Sequence, residues 1–296
     1  MLLLVAEPIS YFQAIVLGLL QGFSELFPIS SLGHSVILPQ LFGWNIHQND
    51  PYFITFLVAT HLATALVLLG FFWQDWVRIV HGMWRSLVER EVAADNPDGR
   101  LGWLLVVGTI PAGLLGLLLE DKLRSAFASG RSAAFFLILN GFMLYGAERL
   151  RRRQKVDAAG VDDGDARIAK TAGFKDAVGI GAAQAIALIP GFSRSGATMG
   201  GGLLAGLSNE DAARFSFLLA TPIIGAAAAL KLPDLFGSTC DGVRGQALVA
   251  ALCSAFTAYL SVRFLMRFFE TNRLTPFAIY CVVAGLAASV YLGWLS

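Results

Sequence analysis

Six stretches of the chain are apolar almost without interruption, at roughly 53–73, 101–119, 133–148, 212–230, 245–265 and 276–295. A helix of about 20 apolar residues crosses the hydrocarbon core of a bilayer. Each stretch is bounded by charge or by turn residues, so each is predicted as a spanning helix. The stretch at 133–148 is short but strongly apolar. Two further apolar stretches are broken. One, at about 9–46, is interrupted by Gly22, Pro28, Gly33 and Pro39. The other, at about 177–207, is interrupted by Pro190, Gly191, Gly196 and the run Gly200-Gly201-Gly202. Proline and glycine punctuate helices, so these two read as re-entrant hairpins rather than plain spans.

The basic residues sort by loop. Segment 74–100 carries Arg78, Arg85, Arg90 and Arg100. Segment 149–175 carries Arg149, Arg151, Arg152, Arg153, Lys155, Arg167, Lys170 and Lys175, and the one near 263–275 carries Arg263, Arg267 and Arg273. The alternate loops hold Lys122, Arg124 and Arg131, then Lys231 and Arg244. Fifteen against five is a positive-inside pattern that puts 74–100, 149–175 and 263–275 in the cytoplasm. That topology closes only if 177–207 enters and leaves on the cytoplasmic side and 9–46 on the outer side. The expected fold is therefore an all-α polytopic membrane protein with an inverted-topology repeat. Each half, about 1–150 and 170–296, is one broken hairpin followed by three spans. Residue identity between the halves is low, so the repeat is read from organisation. Such repeats place a site at the midplane where broken helices meet. Segment 149–175 also holds Asp157, Gly160, Asp162, Asp163, Gly164 and Asp165, and reads as a solvated, flexible linker within a single integral-membrane domain spanning 1–296. Trp76, Val77, Ile79, Val80 and Trp84 lie among the basics of 74–100, the pattern of an interfacial helix.

Composition narrows the classes. The chain has 296 residues, 56% hydrophobic and 15% charged, with mean hydropathy +0.64 and net charge +1. Soluble domains run near 25% charged, so a soluble enzyme is excluded, and so is a nucleic-acid partner, for which no basic field exists. The start, Met1-Leu-Leu-Leu-Val-Ala-Glu-Pro, lacks the basic region of a cleavable signal peptide. Cys240, Cys253 and Cys281 have no CxxC spacing and read as buried small apolar side chains. His47, His61 and His81 have no polar partner in sequence and read as interfacial or packed.

Outside the loops and span ends, little charge is left. Arg214 lies near a span end, and Glu7 and Asp50 flank the first hairpin. Glu25 and Arg194 remain, one in each broken segment. An ionised group at membrane depth costs roughly 2.5–3.5 kcal/mol on insertion scales, so both are assigned to function. Gln21 and Glu25 stand i, i+4 on one helix face. Ser31 and His34, three apart, are placed to meet across one turn. The turn Pro190-Gly-Phe-Ser193-Arg194-Ser195-Gly196-Ala-Thr198 joins backbone N–H groups, hydroxyls and a guanidinium, an anion site whose fork matches phosphate oxygens. A carboxylate facing an anion calls for a bridging Mg²⁺ or Ca²⁺. A phosphate-binding P-loop, a GxSxG elbow and the GxSG-plus-late-histidine pattern of rhomboid-type proteases are absent. No histidine follows His81, which also disfavours the other large class of membrane lipid phosphatases.

At these residues the sequence resembles the undecaprenyl-pyrophosphate phosphatase family of bacterial inner membranes, the bacitracin-resistance type. Gln21-xxx-Glu25-Leu-Phe-Pro-Ile-Ser30-Ser31-Leu-Gly33-His34 is similar to that family's [E/Q]xxxE-x-x-P-x-S-S-x-G-H, and the second turn to its PGxSRSGxT. The likeness extends to the Glu210–Phe217 stretch and to Pro276-Phe-Ala-Ile-Tyr280. Gln21 in place of glutamate removes one charge from a metal site, and Leu32 stands where serine or threonine is usual. The resemblance implies interlocked inverted repeats and hydrolysis of C55 polyprenyl pyrophosphate to the monophosphate carrier lipid reused in peptidoglycan synthesis. It also implies bacitracin resistance, a divalent-cation requirement and a site opening to the periplasm.

On this reading Arg194 binds the pyrophosphate, with Ser193, Thr198 and the Gly191 and Gly196 backbone completing the cradle. Glu25 and Gln21 hold the metal or orient the nucleophile. Ser31 is the candidate nucleophile with His34 as its base and later acid, and activation of water or direct attack by His34 stays open. Ser30 either caps the second half-helix or contacts phosphate. The expected partners are the lipid substrate and membrane lipids, with a homodimer left open. The rival function is a lipid-phosphate or anion transporter, which would need no nucleophile–base pair.

Overall fold

The computed structural model describes residues 9–46, 51–126, 129–151, 163–231, 233 and 242–294. Glu7, His47, Asp50, Arg152, Arg153, Lys155, Asp157, Gly160, Asp162 and Cys240 lie outside the described residues. The described chain is helical, and no strand occurs within it. The helices are α1 (Tyr11–Leu26), α2 (Ser31–Leu41), α3 (Pro51–Phe71), α4 (Trp73–Glu89), α5 (Pro97–Ala126) and α6 (Gly130–Arg151). Then follow α7 (Gly164–Thr171), α8 (Phe174–Gln184), α9 (Arg194–Leu204), α10 (Asn209–Lys231), α11 (Arg244–Phe269) and α12 (Thr275–Trp294). Helices α5, α6, α10, α11 and α12 are long and apolar enough to cross a membrane, and α3 with α4, bent by 77° at their junction, passes the same test. The protein is a multi-pass membrane protein, and its long helices fall on the six stretches read from hydropathy.

The two broken stretches are helix–break–helix hairpins. Ser10 and Gln13 start α1 with a reciprocal capping box. The helix ends at Phe27, which is extended because the residue before a proline avoids the α region. Ser30 then takes φ 70° and caps α2 by accepting from Gly33 N at 3.1 Å. In the second hairpin Asp176 accepts from Gly173 N at the start of α8. A 3₁₀ turn at Ala185–Leu188 leads into the break, and Ser193 caps α9 by accepting from Gly196 N at 3.1 Å. Gly191 turns the chain at φ 109°, and any Cβ there would strike the Ala133 carbonyl of α6.

The low identity between the halves hides a position-by-position match. Gly18 and Gly181, Gln21 and Gln184, the caps Ser30 and Ser193, Gly33 and Gly196, and the positive-φ Gly43 and Gly206 are each separated by 163 positions. Packing matches as well. Gly18 and Gly22 let α1 lie backbone to backbone on Ala250 and Ser254 of α11, while Gly181 lets α8 lie on Gly108 of α5. Each hairpin thus leans on a long helix of the opposite half. Between α6 and α12 the contact is reciprocal: Gly141 meets Ala278 and Val282, and Gly285 meets Ala134 and Ile138. This exchange brings the two breaks together in the protein interior.

Two expectations are corrected. The segment read as a flexible linker is, from position 163 onward, the packed helix α7, capped by Asp163, with Ile168 and Ala169 in the core. Its Asp165 is fully buried because it is paired: Arg214 Nε lies 2.7 Å from one oxygen and Arg78 Nη2 2.8 Å from the other. Asp75 of α4 joins both arginines, and Arg167 of α7 is paired with Asp211 of α10. The sequence shows the charges as a run, whereas the fold pairs them across α4, α7 and α10. Lys122 and Arg124 also belong to the last turns of α5 rather than to a loop. The helix expected within 74–100 is α4, with Ile79 buried and Val77, Val80 and Trp84 exposed.

Candidate active site

Glu25 closes α1, and the Pro28 break carries the chain back so that Ser31 opens α2 beside it. Ser31 Oγ donates to Glu25 Oε2 at 2.5 Å. Gln21, one turn earlier on α1, donates from Nε2 to the same oxygen at 3.0 Å, as their i, i+4 spacing requires. Arg194, the first residue of α9, reaches across from the second hairpin and donates from Nη2 to Glu25 Oε1 at 3.1 Å. Ser31 and Arg194 are themselves 163 positions apart, so the two hairpins present their equivalent first helical residues to one carboxylate. Glu25 is 7% exposed. A carboxylate so buried is tolerable only when paired and hydrogen-bonded. Arg194 supplies the counter-charge to Glu25 itself.

Arg194 also carries an unspent donor. Its Nη1 is buried and meets no hydrogen-bond acceptor among the described residues. A buried guanidinium N–H without an acceptor is costly. It lies within one guanidinium of the Ser31–Glu25 pair, so an anionic oxygen bound there would satisfy it.

The remaining hydroxyls of the two motifs make hydrogen bonds that hold the hairpins. Ser30 and Ser193 are caps, as above. Ser193 Oγ is also 3.0 Å from Ser195 Oγ, and Ser195 donates to the Phe27 carbonyl at 3.1 Å. Thr198 is fully buried and donates to the Arg194 carbonyl at 2.8 Å. Gly196 gives its N–H to Ser193. The cap reading of Ser30 is what the structure shows, and Ser193, Gly196 and Thr198 act inside the second hairpin. Asn140, fully buried on α6, ties both breaks at once: Nδ2 donates to the Pro28 carbonyl at 3.0 Å, and Oδ1 accepts from Ser193 N at 3.0 Å.

His34 does not pair with Ser31. Its Nδ1 lies 2.7 Å from the Ser30 carbonyl, which accepts and fixes the proton there. Its Nε2 is then the basic nitrogen, and it lies 2.8 Å from the hydroxyl of Tyr280 on α12. Ser31 faces a carboxylate instead. His61, read from sequence as interfacial or packed and without a polar partner, is the other correction. Its Nε2 lies 3.3 Å from Gln21 Nε2 and 3.5 Å from Glu25 Oε2.

Residues 14–287 match the model of the family described as bacitracin resistance protein BacA. The chain belongs to that family. Among its relatives, a protein of Mycolicibacterium paratuberculosis named undecaprenyl-diphosphatase is 50% identical over 96% of this chain and 98% of its own. A Burkholderia ambifaria protein named undecaprenyl-diphosphatase 2 is 47% identical over 95% of each chain. One of Frankia alni with the same name is 42% identical over 95% of this chain and 98% of its own.

Within this member of the BacA family, the sequence finds Gln21, Glu25, Ser31 and Arg194 and misses Asn140, His61 and Tyr280. Asn140 had one available signal, a lone amide in an otherwise apolar stretch. His61 likewise sits in the middle of a predicted span rather than at its edge. Tyr280 is an ordinary aromatic of a spanning helix and gives no sign of its partner. Cys281 is buried as expected, 3.3 Å from Asn140 Nδ2, and Cys253 is half-buried. His81 is exposed on α4. Among the described residues no cluster of three or more His, Cys, Asp or Glu side chains is poised for a metal. The side-chain oxygens at the site are those of the Glu25 carboxylate, the Gln21 amide and the Ser31 hydroxyl.

Proposed function

We propose that this protein hydrolyses undecaprenyl diphosphate to undecaprenyl phosphate and inorganic phosphate, recycling a carrier lipid for peptidoglycan synthesis and conferring bacitracin resistance. Family membership and the names of the relatives support the substrate. The observation within the structure that carries the reading is the free, buried Nη1 of Arg194 beside a serine hydroxyl already bonded to a carboxylate. A transporter needs an anion site but no such activated hydroxyl.

Ser31 attacks the terminal phosphorus. A new Oγ–P bond forms, the Oγ proton passes to Glu25 Oε2, and the bridging oxygen leaves with the prenyl monophosphate. Arg194 holds the terminal phosphate oxygens and the charge that builds on them. Water then cleaves the phosphoserine, with the proton on Glu25 returning to Oγ. That water gives its proton to the Tyr280 oxygen as the Tyr280 hydroxyl proton passes to Nε2 of His34. Ser30, Ser193, Gly196 and Thr198 support the reaction by fixing the starts of α2 and α9, whose N-termini favour an anion.

One guanidinium cannot offset both Glu25 and a diphosphate. The remaining charge supports a divalent cation, Mg²⁺ or Ca²⁺, which Glu25 and Gln21 would hold. When bound it supplies charge neutralisation. The charge pattern supports an inner-membrane setting with opposite insertion of the two halves and a site reached from the periplasm.

The test is inorganic phosphate release from C55 or C15 prenyl diphosphate by purified protein in detergent, with and without chelator. Release that is chelator-sensitive and lost in Arg194→Ala is expected. Folded protein that releases none with any cation overturns the reading and favours transport.

A further inference from the structure

We propose that His61 is a protein ligand of the divalent cation, so that the cation site is built from Gln21, Glu25 and His61. This rests on the phosphatase reading for the presence of the cation, but the residue is identified by geometry. Helix α3 belongs to neither hairpin, yet it points the imidazole edge of His61 at the shared oxygen of Glu25, at 3.5 Å. The other ring nitrogen, Nδ1, lies 2.8 Å from the Leu57 carbonyl one turn back on α3. That carbonyl only accepts, so Nδ1 donates to it, and in the neutral ring Nε2 keeps its lone pair for the Gln21 N–H or for a metal held beside Glu25. Metal-binding histidines are oriented in this way, with the second N–H given to a carbonyl or carboxylate. The side chain is 30% exposed, so its edge is reachable from outside the core.

Gln21 completes the set. Its Nε2 now bridges Glu25 Oε2 at 3.0 Å and His61 Nε2 at 3.3 Å. The oxygen and nitrogen of an amide exchange places by a half-turn, and that turn brings Oε1 to the point between carboxylate and imidazole. The three donors are then one carboxylate oxygen, one amide oxygen and one imidazole nitrogen, with a single negative charge among them. So little charge binds a cation weakly until phosphate oxygens join, which makes cation and diphosphate binding mutually dependent. The nitrogen donor favours a first-row transition ion over Ca²⁺, which takes oxygen ligands, and Mn²⁺ is the paramagnetic member of that row nearest to Mg²⁺ in its ligand demands.

The test uses Mn²⁺ as the probe and inorganic diphosphate as the co-ligand, added to the purified full-length protein in detergent. Pulsed electron paramagnetic resonance reads whether a ¹⁴N nucleus is bonded to the bound Mn²⁺, and titration of the free-Mn²⁺ signal reads affinity. Histidine coupling is expected in the parent protein and lost in His61→Ala, with affinity lower by about 10–100-fold. His61→Gln keeps the volume of the side chain and should also lack the coupling, which guards against a folding defect in the alanine variant. Bound Mn²⁺ without nitrogen coupling, or coupling that survives in both variants, overturns the proposal. So does absence of Mn²⁺ binding. Phosphate release from prenyl diphosphate, assayed on the same preparation, reports the phosphatase reading separately: release without nitrogen coupling removes His61 and leaves the enzyme.

Discussion

Ser31 Oγ lies 2.5 Å from Oε2 of Glu25, and the same carboxylate holds Arg194 through its other oxygen. One acid therefore joins the candidate nucleophile to the phosphate-binding cation. Ser31→Ala should release phosphate at least about 10³-fold more slowly, and Glu25→Gln about 10²–10⁴-fold more slowly, the range for loss of a positioned base. Acid quenching of the parent enzyme with labelled diphosphate should trap phosphate on Ser31. A stable, active Ser31→Ala variant would transfer the attack to water.

Arg194 offers a fork, and a lysine offers a point charge. Arg194→Lys should keep the protein folded by keeping a cation beside Glu25, yet lose most phosphate release because Nη1 and Nη2 can no longer serve phosphate and carboxylate together. Arg194→Ala should in addition unfold at lower temperature, since it strands a buried carboxylate. Steady-state kinetics and a melting curve on each variant separate the two effects.

Asn140 touches no reacting group in the mechanism, but it holds both breaks. Asn140→Leu fills the same space and leaves the Pro28 carbonyl and the Ser193 N–H without their partner, at about 1–3 kcal/mol each. Both a lower unfolding temperature and a lower kcat are expected. Retention of full activity despite lost stability would show that the breaks hold their positions without it.

Tyr280→Phe removes one oxygen from the hydroxyl–imidazole contact and little else. The ring still stacks near His34, with centroids 5.8 Å apart. Nitrogen resonances of His34 should shift, and hydrolysis of the phosphoenzyme should slow by about tenfold while its formation does not. Rapid-quench measurement of both steps decides this, and equal slowing would place Tyr280 in substrate binding instead.

Asp165 is the buried centre of the charge cluster joining α4, α7 and α10. Asp165→Ala takes from Arg78 and Arg214 their shared buried partner, leaving Arg214 with the Asp75 carboxylate and the face of Phe72, and should cost about 3 kcal/mol. Denaturation in mixed micelles measures it. The effect should be on stability, with the per-molecule rate of the folded enzyme unchanged.

The spans, the hairpins, Glu25 and three of the residues around it were legible in the sequence for a single reason. An apolar solvent makes every polar or helix-breaking residue conspicuous, and Gln21, Glu25, Pro28, Ser31, Pro190 and Arg194 stand out against it. What stayed hidden depended on partners far apart in the chain. The pairing of Ser31 with Glu25 rather than His34 follows from the turn at Ser30, whose positive φ nothing in the sequence announces. His34 was placed on the right helix, but its partner is a tyrosine of α12. His61 looked like a packed histidine because its neighbours in sequence are apolar, whereas its neighbours in space are not. The spacing of 163 positions that relates residues of the two hairpins emerges only when the helix caps at Ser30 and Ser193 are set side by side.

The leaning of each hairpin on the other half has a consequence for how the protein is made. Chains emerge from the ribosome amino end first, so α1 and α2 enter the membrane when neither α11 nor Arg194 yet exists. Until then Glu25 has no counter-charge, and Gly18 and Gly22 face lipid instead of a helix. The first hairpin packs on α3 early, but the helix it leans on most closely, α11, comes only after almost the whole chain. Assembly of the site and completion of the fold are thus the same event, and a chain cut off before α11 would present a half-helix with an unpaired acid rather than an independent first domain.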